Sequence, residues 1–447
     1  VKTAQDETQP AVVPEGAIQA GEAGPKDWEW VERHVWTERM LEALGKGVKG
    51  GVWFSLIDKV QRPSTLAAAW AAVKRNGGTG GSDHQSIEDF EKVLAQEIAQ
   101  LSEALRTGSY RPRPIRRVYI DKPGSKEKRP LGIPCVRDRV VQGALRMVIE
   151  PIFENVFVSH SYGFRPKRGC KDALREVERL LRAGYTHVVD ADIKAYFDNI
   201  PHGPLLADIG CYIADGRVLE LIGSFLKQDI LEDMALWTPE KGSPQGAVVS
   251  PLLANLYLHP VDVAMADAGF EMIRYADDLV ILCRSEAEAR SALDLLGRLT
   301  TERELTLHPD KTRLVNVGFP EEGFDFLGYH FERGTRWPRT KSMRKLKDTI
   351  RSKTKRNNGR SLAAIIEDVN GTLRGWFEYF KNSYKPTFHI VDKWVRRRLR
   401  SILRKRKRLH GISRGHDHFR WPNGFFRVHG LYSLVEAHRA LLQPSSR

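Results

Sequence analysis

Residues 271–283 read EMIRYADDLVILC, and the two acids at their centre limit what this chain can become. Met272, Ile273, Leu279, Val280, Ile281 and Leu282 favour burial, whereas Asp277 and Asp278 resist it unless water or a cation reaches them. The pattern predicts a hairpin over 272–283: strand, acid turn, strand, with both carboxylates at the tip. A two-residue turn prefers Asn-Gly or Asp-Gly to Asp-Asp. Standing alone, the pair reads as a solvated turn.

A second acid-bearing strand changes that reading. GYTHVVDADIKAYFDNIPH, 184–202, opens as a strand carried by Val188, Val189 and Ile193. Its period of two puts Asp190 and Asp192 on one face. If the two segments are neighbours, Asp192, Asp277 and Asp278 converge and raise one another's pKa. A divalent cation removes that conflict. Oxygen donors with no His or Cys nearby favour Mg²⁺. Two such ions ~4 Å apart would form the clamp of nucleotidyl transfer.

The flanking segments have their own patterns. Residues 1–27, rich in Ala, Gly, Pro and Glu, read as a disordered tail. NGGTGGSDH, 76–84, reads as a flexible loop. SIEDFEKVLAQEIAQLSEALRTG, 86–108, predicts one helix capped by Ser86 and ended by Gly108. RRVYIDKPGSKEKRPLGIP, 116–134, predicts two strands around Pro123-Gly124, and a helix follows over 136–153. GSPQGAVVSPLLANLYL predicts a Gly-Pro turn opening a helix. A helix over 286–301 and short strands over 312–317 and 324–331 complete this part.

Charge is concentrated at the C-terminal end. Residues 331–447 hold 30 Lys and Arg against 8 Asp and Glu, a surplus of 22 in a chain whose net charge is +15. Such a field draws polyanions and binds phosphate backbones without reading sequence. Interleaved Trp337, Trp376, Trp394 and Trp421 argue against a merely solvated tail. Ile365, Val369, Leu373, Trp376 and Phe380 mark one amphipathic helix, and VDKWVRRRLRSILRKRKRLHG, 391–411, marks another. Cys135, Cys170, Cys211 and Cys283 form no C-x-x-C pair, so neither zinc nor a disulfide framework is expected. No apolar run approaches the ~20 residues of a membrane span. A reducing, cytoplasmic setting is the expectation.

YADD at 275–278, DADIKAYFDNIPH, GSPQG, RPLGIPCVRDRVVQGAL, SYGFRPKRGCKDAL, LHPDKTRLV, FDFLGYHF and DVNGTLRGWFEYF stand in an order that resembles the group II intron reverse transcriptase/maturase family. The resemblance implies an α+β right-hand polymerase fold: fingers, a palm with an antiparallel sheet, and an α-helical thumb. The implied domains are 28–110 as N-terminal extension and start of fingers, 111–335 as fingers and palm, 336–411 as thumb or maturase domain, and 412–447 as a basic extension. It implies Asp192, Asp277 and Asp278 as catalytic acids. Strand logic alone leaves Asp190 and Asp198 open; the family pattern favours Asp192. The Ile193 carbonyl would be a further ligand of two Mg²⁺ ions, with Mn²⁺ as a substitute.

Further roles follow from the same resemblance. Tyr196 or Phe197 would lie under the incoming sugar. Lys122, Arg129 and Lys311 would meet the triphosphate, and Gln245 would contact template and nucleotide. Arg165, Lys167 and Arg168, with Gly242, would line the template. Leu327 and Gly328 of FLGY, read as part of a strand, would hold the primer end. Arg396, Arg397, Arg398, Arg400, Arg404, Lys405 and Arg406, continued by Lys407 and Arg408, would grip RNA. The implied partners are intron RNA, an RNA template with a DNA primer, deoxynucleoside triphosphates and target DNA, with no membrane. Many members carry an endonuclease with paired cysteines. None is written here, so second-strand cleavage is not expected. Two other uses share this sequence: an RNA-binding splicing cofactor with an idle polymerase, or the same enzyme recruited to defence or repair.

Overall fold

A computed structural model describes residues 28–48, 51–121 and 128–443. The expected disordered tail, Lys122 and the Pro123-Gly124 turn lie outside them. The chain divides into two compact units. The first comprises residues up to Arg116, Gly132–Ser161 and Ile200–Val263; the second comprises Arg117–Leu131, Tyr162–Asn199 and Ala264 onward.

Eleven strands, among the described residues, form three sheets. They are β1 Ile115–Asp121, β2 Lys128–Ile133, β3 His187–Asp192, β4 Ile230–Glu232, β5 Ala235–Trp237, β6 Glu271–Tyr275, β7 Asp278–Cys283, β8 Arg313–Asn316, β9 Phe324–Phe326, β10 Tyr329–Glu332 and β11 Thr335–Pro338. The sheet orders are β2-β1-β4-β5, β6-β7-β3-β8 and β11-β10-β9. The class is α+β with an antiparallel central sheet, as expected. The segment 324–331 is corrected: it is not one strand but a hairpin, β9 to β10, turning at Leu327 and Gly328. Both turn residues have positive φ, 46° and 85°, the signature of a tight hairpin turn.

In the first unit the helix Val136–Val156 is the hub, with Val140, Val141, Ala144, Leu145, Val148 and Ile149 fully buried. Trp36 Nε1 donates to the carbonyls of Met147 and Val148 on this helix. The expected helix over 86–108 has the right ends. Ser86 accepts from the Asp89 N–H, and Gly108 closes in the left-handed region. It is broken at Val93, giving Ile87–Lys92 and Leu94–Thr107. The loop over 76–84 is not flexible but pinned. Arg116 Nη2 donates to the Gly80 carbonyl at 2.8 Å and Ser82 Oγ to the Pro114 carbonyl at 2.6 Å. A Cβ on Gly81 would lie 2.5 Å from the Cys135 nitrogen.

Two hydrophobic cores stand among the described residues of the second unit. One packs Ala173, Leu174 and Val177 of helix Cys170–Arg182 against Val188 of β3, Ile273 of β6, and Val280 and Leu282 of β7. The other joins helices Thr340–Lys353, Leu362–Phe380 and Pro386–Arg406 through Leu346, Ile366, Leu373, Phe388, Val395 and Ile402. The last of these helices starts at Pro386, which suits a first helical turn because its missing N–H has no partner to lose. The second core also takes in Trp421, Phe426 and Leu434, so no structural seam falls at 411.

Asp138 is the buried polar anchor of the first unit. It accepts from the Tyr110 hydroxyl at 2.6 Å and the Arg113 N–H at 3.0 Å. Asp138→Ala strands both donors and is expected to cost about 2–4 kcal/mol. Denaturant unfolding would show the lowered midpoint, and an unchanged midpoint would mean the anchor carries no stability.

Candidate active site

The acid hairpin forms as its apolar pattern requires, but its turn is Ala276-Asp277, not Asp-Asp. Tyr275 pairs with Asp278 across the hairpin, so Asp278 is the first residue of β7. Ala276 takes φ 59°, the first central position where such turns favour glycine. Its neighbours hold it there. Arg274, almost wholly buried, donates to the Ala276 carbonyl at 2.9 Å. Tyr162 N–H donates to the Arg274 carbonyl, also at 2.9 Å. A Cβ on Gly163 would sit 2.2 Å from the Ala276 nitrogen. Sequence reasoning passed over Arg274 and Gly163. A lone cation inside an apolar strand, and a glycine in SYGF, were the signals available.

The second acid segment lies beside the first. β3 runs antiparallel to β7 in a register that places Asp192 opposite Asp278, Ala191 opposite Leu279 and Asp190 opposite Val280. Beyond β3, Ile193 bridges Leu307. The flanking bonds run from His308 N–H to the Asp192 carbonyl and from Lys194 N–H to the Thr306 carbonyl. Neither uses the Ile193 carbonyl.

The electrostatics follow from this crowding. Asp278 stands at the accessible mouth of β7, yet the surrounding protein, joined by Asp277 and Asp192, pushes its acid up to about 6. Burial raises Asp277 too; its own backbone N–H opposes, Asp192 adds, and Arg129 opposes. Burial likewise raises Asp198 against the pull of Arg117 and Arg129. Asp190 is raised by burial although Arg313 Nε donates to it at 3.2 Å. Lys311 Nζ donates to Asp192 Oδ2 at 2.6 Å. Three carboxylates thus meet several cations, among them Arg129, Arg274, Arg339 and Lys311. Among the described residues no three His, Cys, Asp or Glu side chains already stand as a metal cage.

Tyr196 and Phe197 are buried just after Ala195, whose φ is 46°. The Phe197 ring meets that of Phe164 edge-on at 6.4 Å. Arg165 is buried, Lys167 has φ 56°, and the Arg168 guanidinium lies 5.8 Å over the Tyr162 ring. Gln245 and Gly242 belong to the first unit. There the Gln245 carbonyl accepts from Gly132 N–H at 2.7 Å, and Gly242, at φ 95°, donates to the Ile200 carbonyl at 2.7 Å. The Leu327 carbonyl accepts from Tyr379 Oη at 2.7 Å. The Gly328 carbonyl accepts from Ser342 Oγ and Arg339 N–H.

The basic helix is less uniform than its sequence. Arg400 is 1% exposed, donating to the Trp421 carbonyl at 2.9 Å and to Asn423 at 2.8 Å. That guanidinium serves the core and is withdrawn from phosphate, which corrects the expected RNA role. Arg404 grips Asp417 in two bonds of 3.1 Å, Arg398 donates to the Thr354 carbonyl, and Arg396 lies 3.7 Å from Asp392. Arg406 donates to the Arg360 carbonyl yet stays exposed. Arg397, Lys405, Lys407 and Arg408 are exposed.

Comparison with known proteins converges on one family. Residues 120–331 match the reverse transcriptase (RNA-dependent DNA polymerase) family model, and residues 343–421 match the group II intron, maturase-specific domain. Protein YkfC of Escherichia coli (strain K12) is 32% identical over 355 residues, covering 70% of this chain and 91% of YkfC. The chain belongs to the group II intron reverse transcriptase/maturase family. The group II intron-encoded protein LtrA of Lactococcus lactis subsp. cremoris is 38% identical over 230 residues, 51% of this chain and 38% of LtrA. The match therefore spans well under half of that relative's length. Among solved structures, a partial Cas6-RT-Cas1–Cas2 complex is 26% identical at a TM-score of 0.36, covering 56% of this chain and 41% of that one.

The raised Asp278 acid has a measurable consequence. A carboxyl whose folded pKa exceeds its unfolded value contributes stability below the unfolded value, and that stability is lost as pH rises through about 6. Asp278→Asn should therefore raise the Tm of divalent-free protein by about 1–3 °C near neutral pH and leave it unchanged near pH 4. A uniform shift at both pH values would place the effect outside this titration.

Proposed function

We propose that this chain is an RNA-dependent DNA polymerase of a group II intron that also binds its intron RNA as a splicing maturase. The observation that carries the reading is the register placing Asp192 opposite Asp278, with Asp277 in the adjoining turn. Crowded, partly desolvated carboxylates and a carbonyl outside the Ile193 bridge are hard oxygen donors, which suit Mg²⁺ or its substitute Mn²⁺. Asp192, Asp277, Asp278 and the Ile193 carbonyl would hold it. Held there, a pair of such ions would supply activation of a hydroxyl and charge neutralisation for departing pyrophosphate.

The chain's own residues supply the rest. The primer 3′-hydroxyl gives its proton to solvent and forms a bond to the α-phosphate of a deoxynucleotide, and the bond to pyrophosphate breaks. Arg129, whose charge reaches Asp277 and Asp198, offsets triphosphate charge together with Lys122. Lys311 rests on Asp192 and can exchange that carboxylate for phosphate, a charge-assisted bond of the same kind. Tyr196 and Phe197, buried beside the acids in sequence, give a stiff floor for the sugar. The doubly held Leu327-Gly328 turn presents a fixed edge for the primer end. Template contacts fall to Lys167 and Arg168 in the second unit and, taken separately, to Gly242 and Gln245 in the first. Fingers and palm occupy 111–335, with their start in 28–110, and the thumb begins at 336. Target DNA is a further partner of this reading.

Extension of oligo(dT) on poly(rA) with Mg²⁺ tests it. Asp277→Ala should abolish DNA synthesis while RNA affinity stays within about two-fold; equal loss of both would make the acids structural. Absent wild-type extension alongside restored splicing would instead favour a cofactor with an idle polymerase. Neutralising exposed Arg397, Lys405 and Lys407 should flatten the log–log salt dependence of RNA binding by about 2–3. An unaltered slope would move the footprint off this helix.

A further inference from the structure

The second unit carries a recess that the polymerase chemistry does not use. It is a groove of about 810 Å³ bounded by β11, helix Thr340–Lys353 and the start of helix Pro386–Arg406. That size falls among ordinary ligand sites. Trp337, Met343, Tyr384 and Ile390 give it an apolar lining, and Arg344 and Lys347 stand on its wall. Tyr384 is 55% exposed and Ile390 58%, unusual for a large apolar pair facing one hollow. The platform is rigid. His330 backs the Trp337 ring at 5.1 Å, and Tyr384 N–H donates to the Arg336 carbonyl at 2.8 Å. The acid on this wall, Asp348, is taken up by Arg351 at 2.5 Å.

We propose that this groove receives an unpaired nucleotide from a loop of the folded intron RNA, its base against Tyr384 and Trp337 and its phosphates against Arg344 and Lys347. The inference rests on the maturase reading above. Bases in a duplex are already stacked, and A-form helices are gripped by phosphate and 2′-hydroxyl. A concave apolar floor rewards only a base that has left its helix. The charge surplus of 22 spreads over residues 331–447, far beyond the groove. That distribution suits a long polyanion better than a short acidic peptide. Most of the lining lies within the segment that matches the maturase-specific domain. This favours a structured RNA loop over the template strand.

The test compares full-length wild type with Tyr384→Ala, Tyr384→Phe and Ile390→Glu. The probes are an RNA hairpin with an unpaired uridine loop and the blunt duplex of its stem. Tyr384→Ala and Ile390→Glu should weaken hairpin binding about five-fold or more, the scale of losing one stacked base. Duplex affinity and primer extension on poly(rA) should hold, and Tyr384→Phe should keep hairpin binding. Parallel loss for hairpin and duplex would reduce the groove to general electrostatics. A raised KM for template would assign it to the template strand. Displacement of an acidic peptide with no effect on RNA would make it a protein site. Each of these three results overturns the proposal. Retained extension in the variants keeps such a failure separate from failure of the polymerase reading.

Discussion

The pairing of β3 with β7 is the constraint on which the rest depends. It sets Asp192 opposite Asp278 although they stand 86 positions apart in sequence. A slip of one residue would turn Asp192 to the other face of the sheet and bring Ala191 or Ile193 into its place. The apolar residues enforce the register. Val188, Val189, Ala191, Leu279, Val280 and Ile281 are buried on the two strands, so both faces of the pair are apolar, and a slip would carry Asp190 onto the face that now holds Val189 and Ala191. The hydrophobic pattern therefore positions the acids, and the acids need no attraction of their own.

What the acids lose by crowding is offset from several directions. Lys311 meets Asp192, Arg313 meets Asp190, and Arg129 acts on Asp277 and Asp198. The turn that carries Asp277 is held by Arg274 from inside and by the close approach of Gly163. A strained Ala276 costs about 1–2 kcal/mol, an amount one buried hydrogen bond to a cation can offset. A similar division appears in the thumb helices. Arg400 and Arg404 build the fold, whereas Arg397, Lys405, Lys407 and Arg408 face solvent.

Local pattern made much of this legible in the sequence. Apolar runs on either side of the acids revealed the hairpin, Val188 and Val189 revealed β3, and Ser86 and Gly108 marked both ends of a helical stretch. The break at Val93 was not legible, because the apolar stripe runs straight through it. The turn moved by one residue because pairing, not turn preference, decides where Asp278 sits. FLGY looked like continuous strand until the positive φ of Leu327 and Gly328 made it a hairpin. Arg400 counted as one more cation in a basic run. Only the Trp421 carbonyl and Asn423, brought to it by tertiary packing, show that it is core. The Lys311–Asp192 pair likewise joins residues 119 apart, a distance that no periodicity spans.

In the proposed reading, two distant segments share one cation site. Mn²⁺ titration followed by electron paramagnetic resonance tests it most directly, in wild type, Asp192→Asn and Asp277→Asn. Shared ligation predicts that either substitution alone releases the bound ion signal while the fold persists by circular dichroism. Undiminished Mn²⁺ binding in Asp192→Asn would contradict it, because the earlier strand would then contribute nothing to the ion.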